Sequence, residues 1–386
     1  MGLYTTMSIF SEISITSLVL LGLLGLATLI QLIYYWVIFA RLAFYRDPGA
    51  APAGGNNLPG VSVVMSARNE YHHLIKNLPE LLQQDYPDFE VVVVNHTSSD
   101  ETASLLKELT PFYPHLKVVS IEQELNFFKG KKFPLSIGIK SAKNELLLLT
   151  DADCVPASKQ WIKKMVKPYD SKTDIVLGYG PYEPRKGLLN LLIRYDTFVV
   201  AMQYLSYALA GIPYMGVGRN LSYRKSMFLR NKGFTSHYKI SSGDDDLFIN
   251  QVANKRNTQI NIDPESFVYS APKTTFNAYF RQKRRHLTTG KYYKTTFKWL
   301  LGLFSFTQLL FWVLFILMLS LKIQPILVLS LFLLKLITTI IVQKNTADRL
   351  GEHHLLLFSL AIEPIYVFLI PLITFISSIN QPKAWK

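Results

Sequence analysis

Four apolar runs decide where this chain can fold. Ile15–Ala40 contains no charged residue. A bilayer core takes about 20 apolar residues as helix, so this run is long enough to span it with some tilt. A cleaved signal peptide is the competing reading. The run is too long for one, only Glu12 is charged ahead of it, and no small-x-small cleavage site follows. Trp299–Ser320 is apolar throughout, Ile326–Val342 follows Pro325 and carries Lys335, and Leu355–Ile379 carries Glu363, Pro364 and Pro371. Arg41 and Arg46 follow the first run, seven basic residues and no acid fill Arg281–Lys298 before the second, and Lys344 and Arg349 lie in the loop Gln343–His354. Basic flanks stay in the cytoplasm. The expectation is four spans with both termini outside, or a re-entrant pair broken at its prolines in place of the fourth. Lys335 and Glu363 each lie roughly 10–12 Å from their predicted cytoplasmic helix ends. Ionisable groups in lipid are usually paired, so an ion pair between them is expected, against a snorkelling Lys335 and a protonated Glu363.

Between these runs the composition is that of a folded domain. Hydrophobic residues make up 49% of the 386 and mean hydropathy is +0.18, which excludes a disordered chain. One cysteine, Cys154, excludes a disulfide scaffold and any multi-cysteine metal site. The net charge of +14 suits nucleic acid, anionic lipid or phosphate-rich ligands. Residues 1–46 read as an N-terminal anchor, 56–298 as a catalytic domain on the cytoplasmic side, and 299–386 as C-terminal membrane helices. Asp47–Pro59 is a Pro/Gly-rich linker expected to be irregular. After it, strand patterns at Val61–Met65, Phe89–Asn95, Lys117–Ile121 and Glu145–Thr150 alternate with helix patterns at Tyr71–Gln84, Glu101–Leu109 and Phe133–Lys143. Such alternation implies an α/β fold with a mostly parallel sheet, whose ligands sit at the carboxyl ends of the strands.

The residues at those ends are chemically informative. Ser66–Glu70 and Asn95–Thr102 are short polar turns entering helices. They suit a nucleotide cleft or plain helix capping by Ser99 or Asp100. Leu146–Thr150 runs into Asp151-Ala152-Asp153, two carboxylates at i and i+2 on one side of a buried edge, where a divalent cation such as Mg²⁺ or Mn²⁺ would relieve their repulsion. Gly130-Lys131-Lys132 precedes a helix and would place an ammonium near a diphosphate, or be a solvated turn. Ser242–Asp246 opens a helix expected over Leu247–Asn254. Three consecutive acids exceed capping needs and suggest a general base. On a helix, Gln282, Arg285 and His286 share one face and suit a departing diphosphate. Leu188–Gly211 is apolar and aromatic with only Arg194 and Asp196 charged, which fits an interfacial helix admitting a lipid or a buried core helix equally.

Taken together, these residues resemble the membrane-anchored family 2 inverting glycosyltransferases of GT-A fold, the group that includes hyaluronan, chitin and cellulose synthases. The resemblance covers residues 60–290 and the flanking helices. It implies nucleotide-sugar binding by Ala67, Arg68, Glu70, Asn95, His96, Lys131, Asp151 and Asp153, with the metal on Asp153 and Asp151. It implies Asp245 as general base, in preference to Asp244, and Gly218, Asn220, Gln282, Arg285 and His286 around the acceptor and diphosphate. Asn95-His96 stands where the family has two acids, one of which reads uracil, so UDP, GDP and TDP donors stay open. His286 stands where the family has a sugar-stacking Trp, which favours single addition to a membrane lipid or lipid-linked acceptor over a processive polymerase. The implied setting is a bacterial inner membrane, with no nucleic-acid partner. The alternatives are a metal-dependent nucleotidyl or phosphosugar transferase, an inactive glycosyltransferase-like scaffold, and a basic membrane protein binding lipid or nucleic acid.

Overall fold

The computed structural model describes residues 14–47, 58–123 and 130–379. Most of the expected linker therefore lies outside the described residues. Strands β1 (Val61–Ala67), β2 (Phe89–His96), β3 (Leu116–Ile121) and β4 (Leu146–Leu149) follow the alternation read from the sequence, with helices Tyr71–Leu82, Thr102–Leu109 and Lys132–Ser141 between them. The sheet then continues beyond what the pattern disclosed. Cys154–Pro156 (β5), Ile175–Gly178 (β6), Leu221–Arg224 (β7), Thr258–Asn261 (β8) and Val268–Ser270 (β9) complete the strand set. The main sheet has seven strands in the order β3-β2-β1-β4-β7-β6-β8, and β5 pairs with β9 in a separate ribbon. Every residue of β1, β4 and β6 is buried. At ~1.5–3 kcal/mol per fully buried Val or Leu side chain, these central strands are the main source of cohesion.

One strand breaks the parallel pattern. β7 runs antiparallel to both β4 and β6, with Leu149 opposite Leu221. The turn that enters β7 therefore lies at the sheet edge where β1, β2, β4 and β6 exit. That reversal brings Gly216–Asn220 beside Asp151, across a large separation in sequence.

The helix Leu188–Leu209 is a core helix. Beyond Leu188 none of its residues is exposed. One hydrophobic cluster joins it to β4 and β6 on one side and to Tyr35, Phe39, Phe304, Val342 and Leu350 of the long apolar helices on the other.

Among the described residues, three helices are long and apolar enough to cross a membrane: Ile15–Ala43, Thr295–Ser320 and Pro325–Leu350. The first contains a π-helical turn at Tyr34–Phe39. Beside it, Gln31 Nε2 donates to Phe304 O at 2.9 Å and Thr307 Oγ1 at 2.8 Å, and Tyr34 OH donates to Leu300 O at 2.6 Å. The fourth apolar run forms two arms, His353–Ser359 and Ala361–Ser377, bent by 76°. The prolines explain the bend indirectly. Pro364 has no N–H for the carbonyl four residues earlier, at position 360, and its ring crowds that carbonyl. The break therefore falls ahead of the first proline and not at it.

Lys335 Nζ donates to Glu363 Oε1 at 2.6 Å, and Gln308 Nε2 reaches the same oxygen at 3.2 Å. Both charged side chains are buried, and the ammonium lies 5.1 Å from the Phe311 ring centre. Removing one partner of such a pair costs about 3–5 kcal/mol, while removing both is often near neutral. Lys335→Leu and Glu363→Leu are each expected to lower the melting temperature and folded yield in detergent, and the double variant to recover most of the loss. Harmless single variants would show the pair to be energetically idle.

Candidate active site

A single cavity of about 1470 Å³ collects most of the residues singled out from the sequence. Arg68, Glu70, Lys131, Asp151, Asp153, Gly218, Asp244, Asp245, Gln282, Arg285 and His286 all line it. They arrive from the carboxyl ends of β1 and β4, the turn before β7, the start of the helix Asp246–Val252, and the helix Phe276–Leu287.

The two turns after β1 and β2 chiefly brace each other. Asp100 accepts from Tyr71 N–H and Thr102 N–H, both at 3.1 Å, and Asn69 Oδ1 accepts from Ser99 N–H at 2.8 Å. Capping is therefore their dominant local role, with Arg68 and Glu70 left on the cavity wall. Ala67, Asn95 and His96 are buried at the strand ends, Ala67 directly opposite Asn95, and none of the three lines the cavity.

Asp151 forms an ion pair with Lys131, which also lies 3.7 Å from Asp244. Burial alone would raise the Asp151 carboxyl, but Lys131, Arg219 and Arg285 outweigh it and hold it low. Among the described residues Asp153 forms no ion pair, and Lys273 and His73 act on it only from a distance. Burial, then the charges of Asp151 and Glu70, push its carboxyl up. Ligand atoms of Asp151, Asp153 and Cys154 lie within 4.8 Å of one another. The Cys154 thiol is held protonated by burial and by the adjacent acids. The available donors are thus carboxylate oxygens, which suit a hard divalent cation.

Gly130 makes the approach of Lys131 feasible. Its φ is +99°, and a Cβ there would fall 2.4 Å from Ser241 O, so only glycine fits. Its neighbour Lys132 turns away from the cavity. It is buried, donates to His237 O at 2.8 Å and Ile240 O at 2.9 Å, and burial lowers its ammonium to about 8. Lys132 thereby fixes the loop leading into the three acids.

Those acids occupy three different environments. Asp244 faces Lys131. Asp246 is tied down, accepting from Thr289 Oγ1 at 2.5 Å and Tyr293 OH at 2.8 Å. Asp245 accepts from the Gly218 N–H at 2.7 Å and the Asp246 N–H at 2.8 Å. Burial, then the charges of Asp244 and Asp246, push the Asp245 carboxyl up to about 7.

The turn before β7 corrects one expectation. Asn220 is fully buried and faces away from the cavity. Its amide accepts from Trp161 Nε1 at 3.1 Å and donates to Tyr179 O and Ser266 O, each at 2.8 Å. Side chains alternate on entry to a strand, so Arg219 is the one that faces the cavity, its guanidinium 4.4 Å from the Tyr182 ring centre. Gln282 Nε2 donates to Tyr182 OH at 3.1 Å. Its place in the cavity wall, then the cations Arg285, Lys283 and Arg219, lower the His286 imidazole. Tyr182, Thr289 and Tyr293 carried no motif signal and emerge only from the fold, while Lys132 and Arg219 lay inside sequence motifs without a role of their own.

Residues 62–228 match the Glycosyl transferase family 2 domain, and residues 147–376 match the Glycosyl transferase family group 2 domain. The chain belongs to the family 2 glycosyl transferases. An uncharacterized glycosyltransferase of Haemophilus influenzae is 28% identical over 148 residues, 38% of this chain and 42% of that one. The probable glycosyltransferase YdaM of Bacillus subtilis is 27% identical over 252 residues, 61% of this chain and 56% of that one. A beta-monoglucosyldiacylglycerol synthase of Trichormus variabilis is 30% identical over 138 residues, 35% of this chain and 28% of that one. This chain's matches thus span about half the length of these relatives or less. Among solved structures, the mannosyltransferase PcManGT from Pyrobaculum calidifontis, in complex with GDP-Man and Mn²⁺, superposes with a TM-score of 0.58 at 19% identity, covering 87% of this chain and 98% of that one. The two share the GT-A fold of the family.

The Asp245 environment yields a prediction about stability. Its folded pKa lies above the unfolded carboxylate value of ~3.9, so the folded state binds the proton more tightly and stability falls as pH rises from about 4 through about 7. Asp245→Asn removes that penalty and keeps an oxygen for the Gly218 N–H. Its melting temperature is expected to exceed the parent's at pH 8, with the gap closing towards pH 4. A pH-independent difference would contradict the strained-carboxylate account.

Proposed function

We propose that this chain is a membrane-embedded glycosyltransferase. In this reading it moves a sugar from a nucleoside-diphosphate sugar to a hydroxyl of a lipid or lipid-linked acceptor, with inversion. The observation that carries the reading is the extent of the cavity. Asp151, Asp153 and Asp245 line it together with Leu301, Gly302 and Ser305 of one membrane-length helix and Tyr366, Ile370 and Thr374 of the bent apolar run. A carboxylate cluster suited to a nucleotide sugar thus opens into space bounded by helices that suit lipid. The basic segment Arg281–Lys298 supports a cytoplasmic catalytic face, with residues 56–298 as the catalytic domain and a bacterial inner membrane as the setting.

The chemistry is a single displacement. Asp245, ionised, takes the proton of the acceptor hydroxyl. The oxygen attacks the anomeric carbon as the bond to the diphosphate oxygen breaks, and one in-line attack inverts that carbon. A base works best when its pKa lies near the operating pH, and about 7 meets that condition. Arg285, Arg219 and Lys131 offset the charge of the departing diphosphate. Gly218 holds the Asp245 carboxylate through its N–H. Asp153 and Asp151 would hold Mg²⁺ or Mn²⁺, which when bound supplies further positive charge to the diphosphate.

The test is nucleotide release by the detergent-purified chain from UDP-, GDP- and TDP-sugars, with Mn²⁺, Mg²⁺ or EDTA and with lipid fractions as acceptor. GDP-mannose belongs in the panel because the Pyrobaculum mannosyltransferase was solved with it. Diphosphate release from one donor is expected, lost in EDTA and in Asp153→Asn. Asp245→Asn is expected to lower kcat by about 10²–10⁴ with donor affinity within threefold. In the parent, kcat/KM should rise as pH passes upward through about 7. Release of pyrophosphate or nucleoside monophosphate instead would identify a nucleotidyl or phosphosugar transferase and overturn the proposal.

A further inference from the structure

The helix Phe276–Leu287 carries Gln282, Arg285 and His286 into the cavity, and few of its side chains are buried. Its only buried residues are Tyr279 and Lys283. Both face the carboxylate of Asp196, which sits buried in the middle of the core helix Leu188–Leu209. Lys283 forms an ion pair with Asp196. Burial, and then the charge of Asp196, hold the Tyr279 phenol protonated. A third group arrives from the far end of the chain, where Tyr366 OH donates to Asp196 Oδ1 at 2.6 Å. Tyr366 belongs to the second arm of the bent apolar run, and its ring packs edge-on against Tyr195 with centres 5.5 Å apart. Three elements of different origin therefore meet at one carboxylate.

We infer that Asp196 is a positioning residue. It seats the helix Phe276–Leu287 so that Gln282, Arg285 and His286 face the diphosphate, and it links that seat to the last apolar helix through Tyr366. The inference rests on the proposed function only in assigning a diphosphate to that face. The sequence places Asp196 in an otherwise apolar stretch with one other charge, Arg194. Arg194 has its own buried partner, Glu352, in the turn between the apolar helices. Asp196 is thus free to serve the helix Phe276–Leu287. A buried charge with one partner removed destabilises strongly, whereas loss of one neutral donor to it is milder. This difference separates positioning from folding.

The experiment uses the full chain in detergent and measures binding of UDP, GDP and TDP with Mn²⁺ by calorimetry, alongside melting temperature. Tyr366→Phe removes only the hydroxyl. It is expected to weaken diphosphate binding by about three- to tenfold while the melting temperature stays within about 2 °C of the parent. Lys283→Met combined with Asp196→Leu removes both charges and is expected to fold, yet to bind diphosphate at least tenfold more weakly. Wild-type diphosphate affinity in both variants, or losses that merely track melting temperature, would overturn the inference and leave the proposed function standing. A parent chain that binds no nucleoside diphosphate would remove both. Binding without sugar transfer, weakened in the variants as expected, would remove the proposed function alone.

Discussion

A helix with no exposed residue beyond its first sets the terms for everything around it. Leu188–Leu209 packs on the sheet and on the long apolar helices, and neither alone can cover it. The hydrophobic effect therefore joins the catalytic layer to the apolar helices through one core. Tyr35 and Phe39 from the start of the chain and Phe304, Val342 and Leu350 from its end belong to the same cluster as Leu177 of the central sheet. The boundaries expected at residues 46 and 299 follow the apolar runs of the sequence. The apolar core runs across both. The polar groups of the same helix are used with similar economy, since Arg194 and Asp196 each hold a different neighbour.

The site itself depends on separating like charges. Besides Asp196, five aspartates line one cavity, and left unpartnered they would oppose one another. Asp151 and Asp244 share Lys131, Asp246 is held by two hydroxyls, and Asp245 rests on backbone N–H groups. Burial, then the charges of Asp151 and Glu70, raise the Asp153 carboxyl, and a divalent cation there would relieve that repulsion. Residue types that look interchangeable in the sequence thus differ by environment, and one loop presents a raised carboxyl, an ion-pair partner and a structural anchor.

Much of this architecture was legible before the fold was known. The strand-helix alternation through Leu149 places the carboxylates at the carboxyl edge of the sheet. What stayed hidden has physical reasons. The later strands are only three or four residues long, too short for a period to register. The direction of β7 depends on its partners and not on its own residues, so the choice between Arg219 and Asn220 turned on a topology no local pattern encodes. Lys131 and Lys132 are adjacent and identical, yet a helix start sends one to the carboxylates and the other to the carbonyls of a distant loop. Leu188–Gly211 was ambiguous because a core helix and an interfacial one share a composition; only its neighbours decide.

The buried pair of Lys335 and Glu363 has a consequence for how the chain is made. Its members sit on consecutive apolar segments and meet only after both have been synthesised. A lone lysine at the centre of a helix costs the insertion machinery about 2.5–3.5 kcal/mol. On the membrane-embedded reading proposed above, Pro325–Leu350 enters lipid most favourably together with the segment that follows it. Biogenesis of this protein then favours a helical hairpin inserted as a unit, its charge neutralised at the moment of entry, over helices released to lipid one by one.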